Sequence, residues 1–148
     1  MKTRQAEEAV KSFEEGWSCS QAVFGAFSEA LGLEKERARQ IAQAFGGGMA
    51  RLGQTCGAIT GGLLTIGLKY GRTHPKDEEA REKTYAITRE FMSRFEAKHG
   101  SLLCRELIGV DLSTDDGYSQ AKERGVFHKL CPKFVADAAD LLADLLKA

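Results

Sequence analysis

Proline is nearly absent: Pro75 and Pro132 are the only two in 148 residues, so little interrupts long helices. Neither sign of charge is in excess. Lys and Arg number 21, Asp and Glu 21, and the formal net charge is zero. That excludes a nucleic-acid binder working through a basic stripe, and a polybasic membrane anchor. No long apolar run exists. The longest uncharged stretch, Leu52 to Leu68, is 17 residues and holds Gln54 and five glycines, which is no membrane span. Met1 to Glu15 carries Lys2, Arg4, Glu7, Glu8, Lys11, Glu14 and Glu15 with no apolar core, unlike a secretory signal peptide. The expected address is the cytoplasm, with no nucleic-acid partner and no membrane insertion. Also missing are strand alternation over more than a few residues and any Cys-x-x-Cys. The latter absence removes the thioredoxin-type signature and zinc-ribbon spacing.

What remains is helical periodicity. Ala6, Val10, Phe13 and Trp17 fall on one face of a first helix, and Ala22, Val23, Ala26, Phe27 and Ala30 on one face of a second. Ala38, Ile41, Ala42 and Phe45 mark a third, ended by Gly46-Gly47-Gly48. That run has no strand before it and no Gly-Lys-Ser/Thr after it, so it reads as a tight bend rather than a phosphate loop. A Gly-rich apolar helix is expected from Cys56 to Tyr70, capped by Gly71. Pro75 with Asp77, Glu78 and Glu79 opens the longest helix, which buries Ala80, Thr84, Ile87, Phe91 and Phe95 and stops at Gly100. Leu102–Ile108 and Thr114–Arg124 form shorter helices, the latter with Ser113 and Asp116 as a capping box. A last helix starts at Pro132 and buries Phe134, Val135, Ala138, Leu141, Leu142 and Leu145. The expectation is one all-α domain over residues 1–148, a bundle of six or seven helices.

The four cysteines, Cys19, Cys56, Cys104 and Cys131, are far apart in sequence but share a local setting. Ser18 to Gln21 reads as a capping box with Cys19 first in its helix. Thr55 can cap a helix with Cys56 next, and Ser101 one with Cys104 in its first turn. Pro132 at a first helical position makes Cys131 a cap. Unpaired N–H groups and the macrodipole favour a thiolate at such sites, and the thiolate is the form that attacks disulfides and binds metals. Gly53, Gly57 and Gly61, with Ala58 and Gly62 beside them, form a smooth strip next to Cys56. Such a strip suits close helix packing, or space for a substrate beside Cys56. His128, three residues before Cys131, is a candidate acid, base or ligand. His74 and His99 sit at a turn and a helix end. Arg51 and Lys69 bracket the uncharged segment and read as its solvated ends.

Gly16-Trp17-Ser18-Cys19-Ser20-Gln21-Ala22-Val23, Phe45-Gly46-Gly47-Gly48-Met49, Gly53-Gln54-Thr55-Cys56-Gly57-Ala58-Ile59-Thr60-Gly61-Gly62, Cys104-Arg105-Glu106-Leu107 and Cys131-Pro132 together resemble the C_GCAxxG_C_C family over nearly the whole chain. The resemblance implies redox activity; some members of that family look like selenoproteins, which favours thiol chemistry over packing. From the residues, the first function is a thiol–disulfide protein without a cofactor, acting on a redox partner or small molecule. In it Cys56 is the reactive thiol, Cys19 its partner, and Cys104 with Cys131 a second couple. Three connectivities stay open. The alternatives are a metal site, with zinc or an iron–sulfur cluster on Cys19, Cys56, Cys104 and Cys131, and an interaction module switched by its disulfides. A homodimer is compatible with the neutral charge.

Overall fold

The computed structural model describes residues 3–147. It is all-α: among these residues there is no strand, and eight helices have five residues or more, one above the expected range. They are α1 (Arg4–Glu14), α2 (Cys19–Ser28), α3 (Lys35–Ala42), α4 (Gly57–Tyr70), α5 (Glu78–His99), α6 (Cys104–Ile108), α7 (Asp115–Arg124) and α8 (Cys131–Leu145). Single turns at Glu29–Leu31, Gln43–Phe45, Gly46–Met49 and Val126–Lys129 link them. No helix among the described residues is long and apolar enough to cross a membrane.

Helix α2 is the hub, packed against α1, α3 and α4, and α8 closes the bundle over α1, α4 and α5. The core is filled by Val23, Ile59, Ile66, Phe91, Phe95, Val135 and Leu142, all fully buried. The glycine strip of α4 lets the backbones approach. A Cβ on Gly61 would lie 2.7 Å from the Ser20 carbonyl oxygen of α2, and one on Gly62 would lie 2.4 Å from the Phe91 ring. Phe24, Ala38 and Ala42 form a second, smaller cluster under α3.

Several boundaries differ from the sequence expectation for local reasons. Helix α1 ends at Glu14, and Trp17 lies beyond it, partly exposed under the Arg39 guanidinium at 4.1 Å. Gly71 follows α4 with an ordinary extended backbone (φ −60°), so it stops the helix without a left-handed cap. Pro75 sits in the turn before α5, and Asp77 is the cap, accepting from the Ala80 N–H. Thr114, not Ser113, caps α7, accepting from the Gly117 N–H. Gly100 does end α5 left-handed, as expected.

Candidate functional site

All four cysteines stand at helix starts, Cys19 where the sequence reading put it and the other three shifted by one or two positions. Cys19 is the first residue of α2, under the predicted capping box: the Ser18 hydroxyl accepts from the Gln21 N–H, and the Gln21 side chain accepts from the Ser18 N–H. Cys56 is itself the cap of α4, because Thr55 is drawn into an antiparallel bridge with Leu103. That bridge also fixes Cys104. The Cys56 N–H donates to Leu102 O at 2.8 Å and the Cys104 N–H to Gln54 O at 2.7 Å. Cys104 is thereby first in α6, with Leu103 as its cap; Ser101 instead accepts from the Leu103 N–H and donates to Glu106. Cys131 is the first residue of α8 rather than its cap, and Pro132 follows it inside the first turn.

The four helix starts meet at one cavity of about 840 Å³, lined by Cys19, Cys56, Cys104 and Cys131. Its other walls come from the end of α1 (Phe13, Glu14), Trp17, the Gly46–Gly48 turn, α6 (Leu107, Ile108), Leu112, Tyr118 and Phe127, with Phe134 from α8. All four cysteines are free thiols. Cys19 is half-buried, whereas Cys56, Cys104 and Cys131 are 4, 8 and 7% exposed. His128 lies at the cavity with its side chain exposed, as do Arg51 and Glu14. Among the described residues, no three His, Cys, Asp or Glu side chains are grouped so as to hold a metal ion.

The thiols are not equivalent. Cys19 and Cys131 both line the cavity, and each thiol shifts the ionisation of the other. Donation from Cys19 holds the Cys131 thiol below its ordinary pKa, against the opposing effect of burial. The same bond, followed by burial and by repulsion from the other three sulfurs, pushes Cys19 well above its ordinary value. Burial pushes Cys56 up to about 12, with the backbone N–H groups of Ala58 and Ile59 pulling the other way and Cys104 adding repulsion. Burial, then Cys131, pushes Cys104 up to about 11. Burial thus disfavours the thiolate at Cys56, the sulfur expected to react, although it too lines the cavity. The glycine strip that was to open space beside it is filled by α2: a Cβ on Gly57 would lie 3.0 Å from Cys19 Cβ.

Sequence reasoning missed the form of the wall opposite these thiols. Gly47, Gly48, Met49, Ala50 and Arg51 all have positive φ, between 52° and 70°, a full left-handed turn. Each non-glycine residue so placed costs about 1–2 kcal/mol. Local hydrogen bonds hold it: Ala50 N–H to Ala44 O (3.0 Å), Arg51 N–H to Gly46 O (3.2 Å) and Gln54 N–H to Gly48 O (2.9 Å). Glycine is needed at position 48 twice over, since a Cβ there would lie 2.7 Å from both Cys104 Cβ and the Gln54 nitrogen. Arg51 leaves this turn to lie over the Tyr118 ring at 4.0 Å, its Nη2 donating to the Tyr118 hydroxyl at 3.0 Å. The triple glycine was the only sequence signal for this turn. Nothing in the sequence marked Arg51 with Tyr118, 67 positions apart.

His99 and His74 lie outside the cavity lining. His99 is enclosed by Phe95 and Phe134 and faces Asp137 at 2.8 Å; burial lowers its pKa, with Asp137 opposing. No curated protein and no solved structure matches the chain. A family model described as "Putative redox-active protein (C_GCAxxG_C_C)" matches residues 17–145, a span that takes in the four cysteines, the left-handed turn and most of the cavity lining. The chain belongs to the C_GCAxxG_C_C family.

Proposed function

We propose that the protein is a thiol–disulfide exchange protein whose working couple is Cys131 and Cys19. One observation carries this reading: the two thiols stand at the starts of two helices on the wall of one cavity, near enough for each to shift the ionisation of the other. Thiol–disulfide exchange needs a thiolate at ambient pH and a second thiol close enough to resolve the mixed disulfide. Cys131 has the lowered pKa, and Cys19 is the donor beside it.

The steps balance without a cofactor. The Cys131 thiolate attacks one sulfur of a disulfide RS–SR, forming Cys131–S–SR and releasing RS⁻. Cys19 then gives up its proton to the departing sulfur and attacks Cys131 Sγ, forming the Cys19–Cys131 disulfide and a second RSH. Two electrons pass from the protein to the substrate, and a small dithiol such as dithiothreitol returns them by the reverse exchange. Cys56 and Cys104 stay protonated at neutral pH and do not begin the reaction.

The test is disulfide mapping with intact mass. Protein purified without air is treated with one equivalent of a small disulfide, then digested at low pH. The expected product is a Cys19–Cys131 linkage, with the intact mass lower by two hydrogens and restored by dithiothreitol. A first linkage between Cys56 and Cys104, or none at all, overturns the assignment. A native mass raised by zinc, or by iron and sulfide, makes the four cysteines ligands first.

A further inference from the structure

The substrate of the proposed couple is constrained by how it must be reached. Cys131 is 7% exposed, and both it and Cys19 open onto the 840 Å³ cavity. Exchange requires three sulfurs nearly in line, so the scissile bond has to enter the cavity with its leaving sulfur directed outward. A disulfide in a folded protein brings two chain segments with each sulfur, and these would have to approach a sulfur only 7% exposed. A free disulfide of small size brings none, and cavities of roughly 300–1,000 Å³ are those that enclose small molecules.

The walls also select on polarity. The lining includes Phe13, Trp17, Leu112, Tyr118 and Phe127. The charged groups of the lining are few and mixed in sign: Glu14 is acidic, and Arg51 is committed to Tyr118 by both its stack and its hydrogen bond. No cluster of cations is available for a multiply anionic substrate. We infer that the protein reduces, or is oxidised by, a neutral low-molecular-weight disulfide with an apolar or aromatic body, and not protein disulfides. This inference rests on the thiol–disulfide reading above, and the electrons and atoms move as written there, with RS–SR the small molecule.

Three probes test it on the intact reduced protein: neutral dithiodipyridine, the dianion dithiobis(nitrobenzoate), and insulin. Rates for the two aromatic probes are each divided by the rate of the same probe with N-acetylcysteine, which removes intrinsic reactivity. The expected result is formation of the Cys19–Cys131 disulfide about tenfold faster with the neutral probe than with the dianion, a preference of about 1.4 kcal/mol. Insulin reduction by dithiothreitol is expected to be no faster with the protein than without it. Acceleration of insulin reduction overturns the exclusion of protein substrates, while leaving the couple standing. Equal normalised rates overturn the preference for a neutral body. If no probe yields the Cys19–Cys131 linkage, the couple itself is wrong.

Discussion

Two thiols that are held protonated inside the fold make its stability fall at alkaline pH by a predictable amount. Burial moves Cys56 from 9.0 to about 12 and Cys104 from 9.0 to about 11. In the unfolded chain both ionise near pH 9, and in the folded chain neither does. Stability from this source is therefore complete below pH 9 and is lost as pH rises towards 11 and 12. Each thiol contributes a slope of about 1.4 kcal/mol per pH unit within that window. Between pH 9 and pH 10.5 the two together remove about 3 kcal/mol, a large share of the roughly 5–15 kcal/mol of an ordinary domain. Urea unfolding under a phosphine reductant, followed by far-ultraviolet circular dichroism from pH 8 to pH 10.5, measures the slope. The Cys56→Ala/Cys104→Ala variant carries the same lysines and tyrosines, so the difference in slope isolates the thiols. A variant whose stability falls as steeply as the parent's refutes the claim that these sulfurs are held neutral by burial.

Three shorter predictions follow from other contacts. Cys19→Ala removes the donor to Cys131, so the pH midpoint of Cys131 alkylation should move upward; an unchanged midpoint means that hydrogen bond does not set it. Ala50→Gly relieves a left-handed residue, worth about 1–2 kcal/mol, against about 0.4–1 kcal/mol of added unfolded-state entropy. A net gain of about 0.5–1 kcal/mol in urea is expected, and a loss would count against the left-handed turn. Gly62→Ala drives a methyl to 2.4 Å from the buried Phe91 ring and should cost at least about 2 kcal/mol, read as a lower urea midpoint.

The helices were legible because their signals are local. The Ser18–Gln21 box, the left-handed Gly100 and the acids after Asp77 act within one turn, and each does in the structure what its chemistry suggests. Faces were legible less completely: Phe91 and Phe95 are buried as expected, while Ile41 is half exposed because α3 lies at the margin of the bundle. The cap positions near Cys56 and Cys104 shifted for a non-local reason. The bridge between Thr55 and Leu103 ties two segments 48 positions apart, and periodicity carries no information about it. The convergence of the thiols was legible only as a shared local setting. Which sulfur meets which depends on how α8 closes over α2, a matter of tertiary packing.

The chemistry at the helix starts was where a sound local argument gave an incomplete answer. A helix dipole favours a charge at its end by about 0.3–1 kcal/mol, and up to about 2 kcal/mol when partly buried. The upward shift of Cys56 to about 12 is three pH units, or about 4 kcal/mol in the opposite sense. Desolvation therefore exceeds the dipole wherever the sulfur is enclosed, and position in a helix does not by itself make a thiolate. A hydrogen bond to a charged group contributes about 1.5–3 kcal/mol. Added to the dipole, that is enough to turn the balance at one sulfur, and only Cys131 receives such a bond from another thiol. Four cysteines at four helix starts thus differ in ionisation: the shift is downward at Cys131 and upward at Cys19, Cys56 and Cys104. On the proposed reading Cys19 divides them, so exchanging Cys19 should move the reactivity, whereas exchanging the helix-start residues around Cys56 should not.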